Sequence, residues 1–235
     1  MTFLTVPLRN EILRLRVNSK NVMTPSQLTC LLAANMDVPR GSVVADLGCG
    51  CGILSVIAAK QGAKYVYAVD VNPHALEDTR FNTSTNGVSD IVNPIMCDVR
   101  HTNGLLDGKI DVILSNPPQK PFRYQNQTGK WLSIAENGGA TGRTIINSII
   151  SQAPRFFRET SKSPKFETVV TSLLGIRTTL DHLEKAGFKS SIVASSLVPF
   201  KCRKSSTSKT RKKTGFRDDL SYQRAVVIHA KFVPI

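Results

Sequence analysis

The 235-residue chain is short of acid, of aromatic rings and of any metal-binding pattern. Aspartate and glutamate number 17 against 31 lysines and arginines, aromatics make up 6%, and tryptophan occurs once. Five cysteines, Cys30, Cys49, Cys51, Cys97 and Cys202, are an odd number without zinc spacing, and the four histidines are scattered. This pattern argues against a structural metal site and a disulfide scaffold, and it fits free thiols in a reducing, cytoplasmic setting. Neither a signal-peptide core nor an uninterrupted membrane-length apolar run is present: the longest apolar stretch, Val43 to Ala59, is broken by Asp46 and three glycines. No membrane partner is therefore expected.

What is present suffices for a core. Apolar residues are 41% of the chain, charged residues 20%, and mean hydropathy is −0.09, so one large globular domain is expected. The net charge is +14, and it is unevenly spread. From Val198 to Ile235 there are ten basic and two acidic residues, so over half of the excess sits in about a sixth of the chain. A basic hairpin insertion is expected at about 200–217, and Lys209, Arg211, Lys212 and Lys213 are its candidate polyanion contacts.

Leu13, Leu15 and Val17 alternate with Arg14 and Arg16, which predicts a half-buried strand and a small β appendage over residues 1–22. The main domain, 23–235, opens with Thr24-Pro25-Ser26 as the start of a helix to about residue 35. Apolar runs at 43–47, 65–69, 91–96, 110–115, 168–174, 191–198 and 224–230 predict strands. Helical periodicity or caps occupy 52–61, 73–84, 141–157 and 177–186. Strands separated by helices imply a doubly wound, Rossmann-like α/β sheet, mostly parallel, ending in an antiparallel hairpin.

The run Asp46-Leu47-Gly48-Cys49-Gly50-Cys51-Gly52 joins a strand to a helix. Glycines let such a loop turn sharply and approach a ligand, while the helix start offers free N–H groups. A dinucleotide fingerprint needs glycine at position 53, where Ile53 stands, and an acid ahead of the loop repels a pyrophosphate but suits a cationic amino acid moiety. Asp70 closes the next strand, where a carboxylate can accept ribose hydroxyls. Asp98 follows the third strand. Asn116-Pro117-Pro118 ends the fourth, and two prolines make the Asn116 side-chain carbonyl and the Pro117 backbone carbonyl rigid acceptors for an NH₂ group.

This order of motifs resembles the class I S-adenosylmethionine-dependent methyltransferases. The resemblance implies S-adenosylmethionine as cofactor, with its methionine part at Gly48, Gly50 and Gly52, its ribose at Asp70 and its adenine amine at Asp98. The Asn-Pro-Pro, Val22-Met23-Thr24-Pro25-Ser26 and Gly138-Gly139-Ala140-Thr141-Gly142-Arg143 segments resemble the amino- and amide-methylating branch that includes the HemK/PrmC release-factor glutamine methyltransferases. That branch implies Asn116 and Pro117 as catalytic residues, Pro118, the next residue and Phe122 against the substrate, and a release factor as protein partner. An exocyclic amine of an RNA or DNA base is the alternative acceptor. A small-molecule acceptor and a non-catalytic cofactor-binding module stand behind both. The chain departs from the branch at Gln119, where an aromatic residue is usual; Phe122, Tyr124 and Trp131 are the candidate replacements.

Overall fold

A computed structural model describes residues 1–7, 12–102, 104–121, 129–157, 159, 164–200 and 221–233. The expected basic hairpin, with Lys209, Arg211, Lys212 and Lys213, lies outside the described residues, as do Phe122 and Tyr124.

The described chain runs β1 (Thr2–Pro7), β2 (Ile12–Val17), α1 (Gln27–Asn35), β3 (Val43–Leu47), α2 (Ile53–Lys60), β4 (Tyr65–Asp70), α3 (Pro73–Thr85) and β5 (Val92–Met96). It continues through β6 (Val112–Ser115), α4 (Lys130–Glu136), α5 (Thr144–Phe156), β7 (Lys165–Thr171), α6 (Ile176–Lys185), β8 (Phe188–Phe200) and β9 (Ser221–Phe232). The main sheet has the order β5-β4-β3-β6-β7-β9-β8. Pairings among β3 to β7 are parallel, while β9 runs antiparallel to both β7 and β8. Strand order reverses between β3 and β6, and in doubly wound sheets the crevice for a ligand opens at that point beyond the carboxyl ends of the strands.

Both faces of the sheet are covered, as the near-continuous apolar strands require. Val44, Val66, Val112, Leu114 and Val169 pack with α1, α2 and α3 residues on one face. Ala45, Val69, Ile113, Val170 and Val226 pack with Ile146, Ile149 and Phe156 of α5 and Leu183 of α6 on the other.

The two-stranded β1–β2 sheet pairs separately but joins this core, because the predicted alternation turns Leu13, Leu15 and Val17 fully inward. Its polar side is tied to α3. Arg16 donates from Nε to Asp78 Oδ1 at 3.0 Å, Asn18 N–H donates to Asp78 Oδ2 at 2.6 Å, and Asn82 accepts Arg16 N–H at 2.6 Å.

Two differences from expectation bear on the site. The fifth strand of the parallel set was expected at 168–174 and is Lys165–Thr171, because Ser172–Leu174 close into a single 3₁₀ turn. Lys165 is drawn into the strand by ion pairs with Asp37 (2.7 Å) and Glu167 (3.0 Å). Within the segment expected as loop, α4 forms from Lys130 to Glu136 with Gly129 as an uncapped start.

Candidate active site

A cleft of about 490 Å³ opens at the switch point, within the range of small-molecule sites. Its walls include Gly48, Gly50, Asp70, Asp98, Asn116, Pro117, Pro118 and Gln119, so residues from four different strand ends converge on one cavity. The first turn of α1 (Ser26, Thr29), α4 (Trp131, Ile134) and Gln223 of β9 complete it.

The glycine loop is shaped by backbone bonds. Both Gly48 N–H and Cys49 N–H donate to Val69 O, at 2.8 and 3.0 Å, which folds the loop back over β4. Gly48 and Gly50 have φ of +81° and +55°, and a Cβ on either would meet nothing within 4 Å. The open space at these positions is the cavity wall itself, a cradle that a side chain would fill. Gly52, expected on the wall, stands behind it: an added Cβ would lie 2.8 Å from Thr79 Cγ2, so glycine there allows α2 to start against α3.

Asp46 also stands behind the wall rather than on it. Its side chain is fully buried under the loop, Oδ2 accepts Ser55 Oγ–H at 2.6 Å, and Oδ1 has no partner among the described residues. Burial raises its pKa from 3.8 to about 7, with the Asp70 charge adding to the effect and the Ser55 hydroxyl opposing it. Direct contact with a ligand, as the sequence had implied, is replaced by a buried carboxyl beneath the loop, because the backbone turn at Gly48 and Cys49 seals it from the cavity.

Asp70 does face the cavity. Its Oδ2 accepts Gly50 N–H and its Oδ1 accepts Asn72 N–H, both at 2.9 Å. Burial raises its pKa, and these backbone donors work against that rise. Asp98 is held differently: Arg100 donates from Nε to both oxygens and from Nη2 to Oδ2, and these bonds lower the Asp98 pKa.

At the end of β6, Asn116 Nδ2 donates to Thr29 Oγ1 at 2.9 Å, and Asn116 Oδ1 accepts from Gln119 Nε2 at 3.4 Å. Gln119 is almost wholly buried. Its Nε2 also donates to Val169 O at 2.8 Å, while its Oε1 accepts Thr171 N–H at 3.1 Å. The glycine-rich 138–142 segment lies against this turn, since a Cβ at Gly142 would come within 2.5 Å of the Gln119 carbonyl oxygen. Arg143 reaches instead into the α5–α6 contact, donating to Leu174 O at 2.6 Å and Thr179 Oγ1 at 3.0 Å. Of the three candidate aromatics, Trp131 is described: it lines the cleft from α4 and meets His74 of α3 edge to face at 6.4 Å.

Several residues that support the site were not singled out in the sequence. Thr79 Oγ1 donates to Gly50 O at 3.0 Å and Asn82 Nδ2 donates to Cys51 O at 2.8 Å, so α3 carries the loop on its polar side chains. The available signal was the buried row Ala75, Asp78, Thr79 and Asn82 at helical spacing, polar where a core face is normally apolar. Cys49 and Cys51 are buried in the loop and their pKa values are raised by that burial, Cys51 to about 12, so both are held as neutral thiols.

Comparison with known proteins is consistent with this geometry. The family described as Ribosomal protein L11 methyltransferase (PrmA) matches residues 25–123. An inferred protein N5-glutamine methyltransferase of Methanocaldococcus jannaschii is 32% identical over 179 residues, 76% of this chain and 87% of that protein. The ribosomal protein L11 methyltransferase of Bacillus subtilis is 39% identical over 148 residues, but the chain spans only 44% of its length. Among solved structures, the E. cuniculi Mtq2-Trm112 complex, responsible for methylation of the eRF1 translation termination factor, superposes with a TM-score of 0.59 at 18% identity. It covers 91% of this chain and 99% of that one. M. jannaschii TYW2 in complex with AdoMet superposes with a TM-score of 0.56 at 16% identity, covering 99% and 87%.

Proposed function

The chain belongs to the class I S-adenosylmethionine-dependent methyltransferases, and we propose that within this family it methylates an amide nitrogen of a protein, of the release-factor glutamine type. The cofactor fits what the residues offer: an open glycine cradle, an ion-paired acid at Asp98, and an acid at Asp70 that faces the cleft and is oriented by the Gly50 and Asn72 N–H groups. Gly48 and Gly50 would hold the methionine part, Asp70 the ribose hydroxyls and Asp98 the adenine amine. When bound, S-adenosylmethionine supplies an activated sulfonium methyl group.

The observation that carries the reading is Asn116, just beyond the end of β6, on the wall of the same cleft as Asp70 and next to two prolines. Asn116 Oδ1 and the Pro117 carbonyl would accept the two N–H bonds of a planar amide and turn its nitrogen toward the methyl donor. Rate enhancement then comes mainly from positioning. Gln119, buried and bonded to β7, provides no stacking face for a base, which favours an amide over a nucleobase. Similarity to the M. jannaschii relative across most of its length supports the same acceptor. Among the described residues no helix is long and apolar enough to cross a membrane, and Cys30, Cys49, Cys51 and Cys97 are free thiols. A cytoplasmic setting accords with both.

One observation favours a second reading, methylation of an exocyclic amine in RNA or DNA. The β8–β9 ladder continues past the end of β7, where Thr171 pairs with Ala225, and Phe200 pairs with Ser221 at the far end. Gln223 in that extension lines the cleft. Phe200 and Ser221, the described residues that flank the basic stretch in sequence, therefore close the ladder on the side of the site.

The deciding experiment incubates the protein with labelled methyl donor and separate pools of total protein, RNA, DNA and metabolites. Label in protein, recovered as N5-methylglutamine after digestion, is the expected result. Label confined to RNA or DNA would transfer the assignment to the second reading.

A further inference from the structure

We infer that Gln119 is a positioning residue that sets which end of the Asn116 amide faces the acceptor. The inference rests on the acceptor-side role proposed for Asn116, and it explains the departure from the aromatic usual at this position.

The argument starts at β7. Strand β6 pairs with β7 only as far as Ser115 opposite Thr168. Beyond it the chain is Asn116-Pro117-Pro118, and prolines have no N–H to continue a ladder. Val169 O and Thr171 N–H, the next groups along that strand, are met by the Gln119 side chain. A primary amide has one acceptor end and one donor end. Because Thr171 N–H can only donate and Val169 O can only accept, the Gln119 amide has one allowed orientation: Oε1 toward Thr171 and Nε2 toward Val169.

That orientation propagates. The second Nε2 hydrogen is directed at Asn116, which must present its oxygen there, at 3.4 Å. Asn116 Nδ2 is thereby turned to Thr29 Oγ1, 2.9 Å away. Thr29 is itself fixed by the first turn of α1, where Ser26 and Thr29 cap each other. Asn116 Oδ1 keeps a second lone pair for an acceptor N–H. A rotated Asn116 would offer the acceptor an NH₂ group instead, and donor would face donor. The backbone polarity of β7 is thus relayed through Gln119 to the group that meets the acceptor.

The test uses Gln119→Met, which keeps the length but removes the amide, together with Thr29→Val and Thr29→Ser. With the acceptor pool that takes up label, Q119M should lower turnover by ~10- to 100-fold, the scale of a misplaced reacting group, while S-adenosylhomocysteine affinity by calorimetry stays unchanged. Added to Asn116→Ala, Q119M should cost nothing further, since both changes remove one function. T29V should act like Q119M without touching β7, and T29S should restore turnover. Independent losses in the double variant, or full turnover in Q119M, would overturn the inference. Side-chain amide NMR of isotope-labelled protein gives a second arm that needs no acceptor. The Asn116 NH₂ protons should exchange slowly in the wild type and at least ~10-fold faster in Q119M and T29V, a factor of ten corresponding to ~1.4 kcal/mol of lost protection. Unchanged exchange would overturn the inference, whereas failure of every pool to accept a methyl group, with the exchange result as expected, would count against the proposed function alone.

Discussion

The carboxylate of Asp70 at the tip of β4 accepts the backbone N–H of Gly50 at 2.9 Å, so the acid and the glycine loop of β3 are one unit. A change at either is felt at both. The cavity owes its shape to this cross-strand bond as much as to the glycines.

Asp70→Ala should therefore weaken S-adenosylhomocysteine binding by ~1 to 3 kcal/mol, the cost of leaving buried polar partners unpaired. Titration calorimetry reads this directly. Equal affinity in wild type and variant would remove Asp70 from the binding site.

Asp46 should make stability depend on pH. Its pKa is raised from 3.8 to about 7 in the folded protein, so between pH ~4 and ~7 the native state holds a proton that the unfolded state has released. Stability from this group is thus fully present below pH ~4 and is lost as pH rises from there through about 7, by about 4 kcal/mol at most, taking ~1.4 kcal/mol per pK unit. The raised Asp70 and Glu167 values act in the same direction and the lowered Asp98 value in the opposite one. The difference between wild type and Asp46→Asn isolates the Asp46 contribution. Urea unfolding at pH 5 and pH 8 should show the variant losing less stability across that interval; identical losses would contradict the buried position.

Gly52→Ala should destabilise the protein by ~1 to 3 kcal/mol. The residue has φ +80°, and its added Cβ would strike Thr79 at 2.8 Å. Combining it with Thr79→Ala should cost less than the sum of the two single changes, because the clash is removed while the backbone strain remains. Additive unfolding free energies would contradict the steric account.

Replacing Lys209, Arg211, Lys212 and Lys213 by Ser distinguishes the second reading from the first. If these residues contact phosphates, nucleic-acid affinity should fall linearly in log salt with a slope of ~0.7 to 0.9 per contact, and the quadruple variant should flatten that slope. Cofactor affinity should be untouched. An unaltered slope would leave the amide as the sole supported acceptor.

The sheet was legible because its signals are local: apolar runs such as Val43–Leu47 and turn glycines sit within a few residues of one another. The cleft was legible for the same reason, since Asp70, Asp98 and Asn116 each sit at or just beyond a strand end. Helix α4 was hidden by its seven-residue length and its missing side-chain cap. The start of β7 was hidden by Lys165 and Glu167, charged residues buried with partners distant in sequence, Asp37 and His229, as well as with each other. Gln119 was legible as a departure but not as a function, because its partners are backbone atoms fifty and fifty-two residues onward. Asp46 pointed correctly to the loop; which way its carboxyl faced depended on how the loop folded over Val69.

Trp131, the chain's one tryptophan, stands in the cleft wall with His74 against its ring and Lys130 Nζ 4.5 Å from the ring centroid. The protein's entire indole emission therefore originates at the site. Occupancy of the cleft should shift or quench the indole fluorescence without any added dye, and Trp131→Phe should abolish that indole response to the same ligand. The enzyme carries a built-in spectroscopic gauge of its own saturation.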